Sequence, residues 1–182
     1  MAALFPRAAR MIELLELGRT SRYLDVGFGT GAFAELLSAR AGMATAPILL
    51  DVTAREGRPD VLAWPERLPF RDGTFDAITA FHVLRGLDDD AVHAFAEELA
   101  RLLAPGSAAL VVEFAPVRWR ALDELHGRIL AGGCAQVDLR GWGRLAALFT
   151  ECGFDAIDLV ELGPYALPPV PRVSVLLRRK PA

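Results

Sequence analysis

The sequence predicts an α/β fold built around a parallel sheet, and three observations support that prediction. A short apolar strand at 23–26 leads through a glycine-rich turn into a helix, a second apolar strand at 47–50 ends at Asp51, and later strand-like runs alternate with helical ones. Strands that alternate with helices in this way are typical of parallel sheets. We therefore expect ligands to bind beyond the carboxyl ends of the strands.

Length and composition limit the class of protein. The chain has 182 residues, of which 53% are hydrophobic, and a formal net charge of −3. We expect one domain over 1–182, with 1–20 as a short N-terminal helical cap. The negative net charge argues against nucleic acid as a partner. No apolar run has the length of a membrane span. Because the first residues lack the pattern of a secretion signal, we expect a cytoplasmic protein with no membrane partner.

The glycine-rich turn contains Gly27, Gly29 and Gly31. A turn this tight needs residues that accept positive φ and let a ligand approach bare backbone. The glycines alone indicate many nucleotide-binding folds, and with Ala32 they even satisfy the looser dinucleotide pattern. Asp25, two residues before the first glycine, makes the pattern more specific.

The phrase D-V-G-F-G-T-G at 25–31 resembles motif I of the class I S-adenosylmethionine-dependent methyltransferases. The resemblance implies that the loop surrounds the methionine end of S-adenosylmethionine and that Asp25 helps to hold its ammonium group. It also implies that Asp51 holds the ribose diol, although a strand-end turn residue is the alternative for this acid. The implied cofactor-binding residues are Asp25, Gly27, Phe28, Gly29, Thr30, Gly31, Asp51, Ala63, Trp64, Ala80 and Phe81.

Two departures from the family pattern follow Asp51. Only 52–59 separates this acid from the next strand-like run at 60–63, whereas a parallel crossover normally takes a dozen residues. We expect the crossover helix to be missing or reduced to one turn. Trp64 stands where family members often carry an acid that binds the adenine amino group. An indole cannot accept that hydrogen bond but can stack on adenine, and the alternative is an ordinary core residue.

The block L-P-F-R-D-G-T-F-D-A-I at 68–78 resembles a phrase of the type 11, small-molecule branch of the family. The resemblance implies a small-molecule substrate. Asp76 is expected to be structural, since it lies at the start of its strand. The strand ends at His82, which is either a general base at the mouth of the site or a polar residue that lines the cofactor pocket.

The middle of the chain predicts a helix and a strand. Acidic residues at 88–90 supply an N-cap, and 105–107 is expected to stop the helix. The strand at 109–114 contains Glu113, which either points toward the substrate or makes a structural hydrogen bond. His82 and Glu113 are the candidate catalytic residues.

The remaining segments predict further helices and a closing strand pair. We expect a helix at 8–17 ended by Gly18, a late helix at 145–149, and strands at 156–162 and 173–177 joined by a proline-rich turn. Trp119, Leu122, Leu125 and Ile129 are expected to form the apolar stripe of another helix. Arg118, Arg120 and His126 are candidates for substrate contacts there, although a solvated helix face is favoured for all three.

Together these segments predict a Rossmann-like, seven-stranded class I methyltransferase sheet with helices on both faces and an antiparallel C-terminal strand pair. The expected activity is methyl transfer from S-adenosylmethionine to a small molecule, with no metal, because Cys134 and Cys152 lack metal-ligand spacing. Two alternatives stay open: a methyltransferase-like scaffolding or regulatory protein that does not methylate, and a nicotinamide-dependent oxidoreductase. The short N-terminal cap favours either a bulky substrate or closure by a second copy of the chain, as in a homodimer.

Overall fold

The computed structural model describes residues 4–27, 29–54, 58–130, 137–162 and 171–181, without the side chains of Leu4, Phe5 and Arg120. The described elements follow in chain order: α1 Leu4–Leu14, β1 Tyr23–Val26, α2 Ala32–Ala41, β2 Ile48–Asp51, β3 Val61–Leu62, β4 Phe75–Phe81, a 3₁₀ turn Leu84–Gly86, α3 Asp89–Leu102, β5 Leu103–Phe114, α4 Arg120–Leu130, α5 Trp142–Phe149, β6 Phe154–Leu159 and β7 Arg172–Arg179.

The strands form one seven-stranded sheet in the order β3-β2-β1-β4-β5-β7-β6. The first five strands in this order run parallel, and β7 pairs antiparallel with both β5 and β6. The predicted seven-stranded sheet and its antiparallel closing pair are therefore confirmed. The chain order reverses between β1 and β4, so the crevice beyond their carboxyl ends is the expected place for a ligand.

Helices cover both faces of the sheet because the strand side chains alternate between two apolar layers. On one face, Tyr23 and Leu110 pack with residues of α1 and α2. On the other, Leu24 and Val111 pack with residues of α3 and α5. The short helix α4 joins neither layer and packs instead through a small cluster that contains Phe114.

The connection between β2 and β3 is as short as the sequence predicts. No helix occurs in its described parts, 52–54 and 58–60. Asp60 fastens the connection to the sheet: its backbone N–H donates to the Leu49 carbonyl at 2.8 Å, and its Oδ2 accepts from the Leu49 N–H at 2.9 Å. β3 is thus an edge strand of two residues, with no flanking helix in the described connection.

Several predicted boundaries are wrong by a few residues. The first helix ends at Leu14 instead of near Gly18, and the chain turns at Glu16, which has a φ of 52°. The helix that 105–107 was expected to stop ends earlier, at Leu102, because β5 begins at once with Leu103. The register of β4 with β5 shifts between the pairs Phe75–Leu103 and Ala77–Ala108. This stretch of β5 includes Gly106, which has a φ of 79°.

The prediction for α4 is wrong about which face is buried. The expected apolar stripe is exposed, with Trp119 77% and Ile129 60% accessible. The face against the body of the protein instead contains His126, only 7% accessible, and Leu130. His126 is therefore not on a solvated face, whereas Arg118 is exposed as expected.

Other predictions fall on parts of the chain outside the described residues, among them Cys134 and most of the proline-rich turn, 163–170. The closing strands are described, and they begin at Phe154 and Arg172. In the described ranges, every helix is too short or too polar to cross a lipid bilayer.

Candidate cofactor-binding and active site

The glycine turn has the backbone that its sequence predicts. Gly27, Gly29 and Gly31 have φ values of 71°, 61° and 77°, in the left-handed region that side chains disfavour. A Cβ on Gly27 would lie 2.6 Å from Cγ2 of Val83, so space also requires glycine there. Gly31 is the N-cap of α2, which places the amino end of that helix beside the turn. Phe28, a predicted cofactor residue, lies outside the described residues.

Asp25 lies beneath this turn and is nearly inaccessible, with 2% of its surface exposed. It is next to Thr79 in the sheet register, and the Thr79 hydroxyl donates to its Oδ1 at 2.5 Å. Burial raises the pKa of Asp25 to about 7, although the hydrogen bond from Thr79 opposes that rise. The site therefore contains a buried carboxyl group that ionises near neutral pH.

Asp51 ends the neighbouring strand β2 and is partly exposed. Its Oδ1 accepts a hydrogen bond from the Thr53 N–H at 3.1 Å, so the strand-end turn suggested by the sequence is present. Its charge also contributes to the raised pKa of Asp25. The structure thus brings the two predicted acids to the same edge of the sheet, close enough to interact electrostatically.

The residues predicted for the adenosine side follow β3. The Ala63 N–H donates to the Asp51 carbonyl at 3.1 Å, which fixes this segment against the end of β2. The Trp64 side chain is 69% accessible. It is therefore not the core residue that the sequence left as an alternative, and its indole is available to a ligand.

The strand β4 lies on the other side of β1 from β2. Ala80 is buried, and Phe81 makes an edge-to-face contact with Phe33 of α2, with ring centroids 5.3 Å apart. The Phe81 carbonyl lies next to the space over Gly27. These contacts place the end of β4 directly beside the glycine turn.

His82 follows β4 and has a φ of 58°, in the left-handed region that most side chains disfavour. Its N–H donates to the Val112 carbonyl at 2.8 Å, and the Arg85 guanidinium donates to its carbonyl oxygen. Its ring stacks on Phe114 with centroids 3.9 Å apart and planes 11° apart. The strained backbone is thus held from both sides, and the imidazole, 26% accessible, has a defined orientation at the mouth of the site.

Glu113 is almost fully buried behind His82, with a side chain only 1% accessible. Its oxygens accept backbone N–H bonds from Arg85 at 3.0 Å and from Phe114 at 2.8 Å. Oε1 also lies 3.4 Å from Nδ1 of His82, longer than an ordinary hydrogen bond but within ion-pair range. The structure therefore assigns Glu113 the structural hydrogen bonds that the sequence left as one alternative, and places it behind the candidate base.

Asp76 has the structural role that the sequence predicts. Both of its oxygens accept from the Arg22 guanidinium, at 2.7 and 3.0 Å, and the Arg22 N–H donates at 2.8 Å. These hydrogen bonds lower the pKa of Asp76. The ion pair lies at the beginning of β4, at the far end of the strand from the glycine turn.

Sequence reasoning missed several residues that shape the site. Thr79 is one, although a hydroxyl in the otherwise apolar strand F-D-A-I-T-A-F is a visible signal. Arg140 is another: its side chain is inaccessible and donates to the carbonyls of Leu84 and Leu87 at 2.9 and 2.7 Å. It thereby fixes the loop after His82, and no local pattern around 140 indicates this role.

Comparison with known proteins adds to this geometry. A model of the family described as "Methyltransferase domain" matches residues 24–111. The demethylmenaquinone methyltransferase of Thermus thermophilus is 34% identical over 123 residues, which cover 59% of this chain and 53% of that protein. The chain spans about half the length of the curated relatives that it matches.

Solved structures show the same fold. The YcgJ protein of Bacillus subtilis superimposes with a TM-score of 0.73 at 17% identity, covering 97% of this chain and 99% of that one. Human N-acetylserotonin methyltransferase, solved in complex with S-adenosylmethionine, gives a TM-score of 0.68 at 16% identity, covering 96% of this chain and 52% of that one. The chain therefore has the fold of the class I S-adenosylmethionine-dependent methyltransferases, and over residues 24–111 its sequence is similar to the methyltransferase-domain family.

Proposed function

We propose that this chain binds S-adenosylmethionine and transfers its methyl group to a small molecule. The observation that carries the proposal is the left-handed glycine turn between two carboxylates, Asp25 and Asp51, at the point where the strand order of the sheet reverses. Such a site suits a ligand with a cationic amine and a sugar diol. The family and the fold support the same cofactor.

The residues present fit that cofactor. A buried carboxyl group costs free energy unless a charge or hydrogen bond compensates it, and within the described ranges no basic side chain pairs with Asp25. An ammonium group would supply the missing charge. Asp51 would accept from the ribose hydroxyls, and the bare backbone at Gly27 and Gly29 would pack against the methionine end. Trp64 would cover adenine by stacking in place of the acid that is absent.

The bound cofactor supplies a methyl group on a positively charged sulfur, and alignment of the acceptor is therefore the protein's main task. For an acceptor with a hydroxyl group, we assign His82 as the general base, with Nε2 taking the proton. Glu113 would act as a positioning residue, since its carboxylate near Nδ1 favours the tautomer in which Nε2 is free to accept. The stack on Phe114 holds the ring in place during this transfer.

The acceptor class that we propose is a quinol or related phenol. The support is the name of the Thermus thermophilus relative, which specifies demethylmenaquinone as its substrate, together with the aromatic and basic groups at the mouth of the site. The single-domain organisation, the cytoplasmic location and a homodimer stay predictions from the sequence.

Transfer of radiolabelled methyl groups from S-adenosylmethionine to a panel of hydroquinones and phenols tests the proposal. We expect label in at least one acceptor with the wild-type chain, and much less with His82→Asn. If the protein binds the cofactor but labels none of these acceptors, the proposal of a phenolic acceptor is wrong. A cofactor-binding protein that does not methylate would then explain the result better.

A further inference from the structure

Three buried polar groups form a chain of hydrogen bonds under the glycine turn. The hydroxyl groups of Tyr23 and Thr79 are 2.6 Å apart, and Thr79 Oγ1 is 2.5 Å from Oδ1 of Asp25. None of the three residues is more than 2% accessible. Tyr23 and Asp25 are two residues apart in β1, so their side chains lie on the same face of the sheet. Thr79 of β4 is the register partner of Asp25.

The direction of this chain follows from its chemistry. A Thr hydroxyl has one proton, and an ionised carboxylate can only accept. When Asp25 is ionised, Thr79 therefore donates to it, and Tyr23 must donate to Thr79. The phenol is suited to this role, because burial and the nearby Asp25 charge raise the pKa of Tyr23 well above its usual range.

The groups that face Asp25 from the adjacent elements act in opposite directions. Burial disfavours the ionised carboxylate most, and the charge of Asp51 on β2 disfavours it further by repulsion. Thr79 on β4 favours it by hydrogen bonding. In the described part of the chain, no cation contributes to this balance. The hydroxyl chain is thus the only stabilising contact for the Asp25 carboxylate that these residues supply before a ligand arrives.

We propose that Thr79 and Tyr23 are positioning residues that keep Asp25 in the orientation and the charge state that a cationic amine requires. This inference rests on the proposed function, since the amine is the ammonium group of S-adenosylmethionine. In the free protein the two hydroxyls hold the carboxylate through Oδ1. At a pH above the Asp25 midpoint, the amine then meets a carboxylate that is charged and fixed in direction.

The test measures Asp25 directly, in protein without cofactor. Carboxyl ¹³C shifts of labelled protein are followed against pH, with the Asp25 signal assigned by its loss in Asp25→Asn. Thr79→Val removes the hydroxyl at nearly constant volume and suits a strand. We expect its Asp25 midpoint to rise by about one to two pH units, because the ionised carboxylate loses a hydrogen bond that stabilises it.

Two further variants make the result specific. Thr79→Ser keeps the hydroxyl and should retain a midpoint close to the wild-type value. Tyr23→Phe leaves Thr79 able to donate but removes the second link, so a smaller upward shift is expected. An unchanged midpoint in Thr79→Val overturns the proposal, and an unchanged midpoint in Tyr23→Phe removes Tyr23 from it.

Binding of S-adenosylhomocysteine across the same pH range tests whether the hydrogen-bonded groups affect ligand affinity. We expect the affinity of the wild-type protein to fall below its Asp25 midpoint, and the fall to begin at higher pH in Thr79→Val. Affinity that does not follow the midpoint contradicts the role toward the amine. If no variant binds while the midpoint still shifts in Thr79→Val, the proposed cofactor is wrong and the charge control of Asp25 by Thr79 stands.

Discussion

His82 has a backbone in the left-handed region and a side chain whose orientation is fixed by stacking on Phe114. Its φ of 58° costs free energy that the two hydrogen bonds to its backbone and the stack on Phe114 offset. Strain of this kind persists where the surrounding structure fixes a residue, and such residues are concentrated in functional sites. The local geometry therefore supports the proposal that His82 belongs to the functional site.

Asn is the substitution that isolates the chemistry of His82, because Asn also tolerates the left-handed region. We expect His82→Asn to lower kcat on a phenolic acceptor by about 10²–10⁴-fold, the range for loss of a general base. Binding of S-adenosylhomocysteine should change little. Steady-state kinetics and calorimetry together check this, and an unaltered kcat would contradict the assignment.

The positions of the proposed cofactor-binding residues were easier to predict from the sequence than the contacts of the proposed catalytic residues. Asp25, the glycines and Asp51 were predictable because a tight turn before a helix and an acid at a strand end are local patterns. The pair of His82 and Glu113 depends on the register between β4 and β5, which no local pattern specifies. Thr79 and Tyr23 likewise meet only because β1 and β4 are neighbours.

The glycine turn tolerates little change at Gly27. A methyl group at Gly27 would meet Val83 at 2.6 Å and would also occupy a left-handed φ of 71°. We expect Gly27→Ala to destabilise the fold by about 1–3 kcal/mol and to weaken binding of S-adenosylhomocysteine. Denaturant unfolding and calorimetry measure the two effects.

Two controls separate the causes of that loss. Gly18→Ala adds a methyl group where no atom lies within 4 Å, so its stability should stay within about 0.5 kcal/mol of wild type. Adding Val83→Ala to Gly27→Ala should recover the part of the loss due to the collision, but not the part due to backbone strain. A Gly27→Ala protein as stable and as tightly binding as wild type would refute this account of the turn.

The element that the sequence misjudged most is α4. Its apolar spacing predicted a buried stripe, but spacing specifies only that a face exists and not which surface covers it. In the fold, α4 packs through His126 and Leu130, and the stripe faces outward. By contrast, α3 was predictable from its N-cap and its apolar face. Asp88 accepts a hydrogen bond from the Ala91 N–H at 2.9 Å, and the apolar residues of α3 cover the sheet.

At the scale of the whole molecule, Asp25 links the site to global stability. Its pKa is raised from 3.8 to about 7 on folding. The folded state thus favours the neutral form, so the contribution of this group to stability is fully present below pH 3.8 and is lost as pH rises through about 7. Ionisation of Asp25 at this buried position therefore destabilises the fold.

Replacement of Asp25 by Asn removes that cost. We expect Asp25→Asn to be more stable than wild type near pH 8, and its advantage to grow by about 2.5 kcal/mol between pH 5 and pH 8. Urea unfolding of both proteins at the two pH values checks this. An advantage that is constant with pH, or that shrinks as pH rises, would show that Asp25 is not buried with a raised pKa.

We propose that the glycine turn and its two acids bind S-adenosylmethionine. Calorimetric titration with S-adenosylhomocysteine near pH 8, where Asp25 is ionised, tests it most directly. Asp51→Ala is the test variant and Asp155→Ala the matched control, since Asp155 is exposed on β6 at the opposite edge of the sheet. We expect micromolar binding by the wild type and the control, weakened about tenfold or more by Asp51→Ala. Absence of binding by the wild-type chain, or equal affinity in all three proteins, would contradict the account.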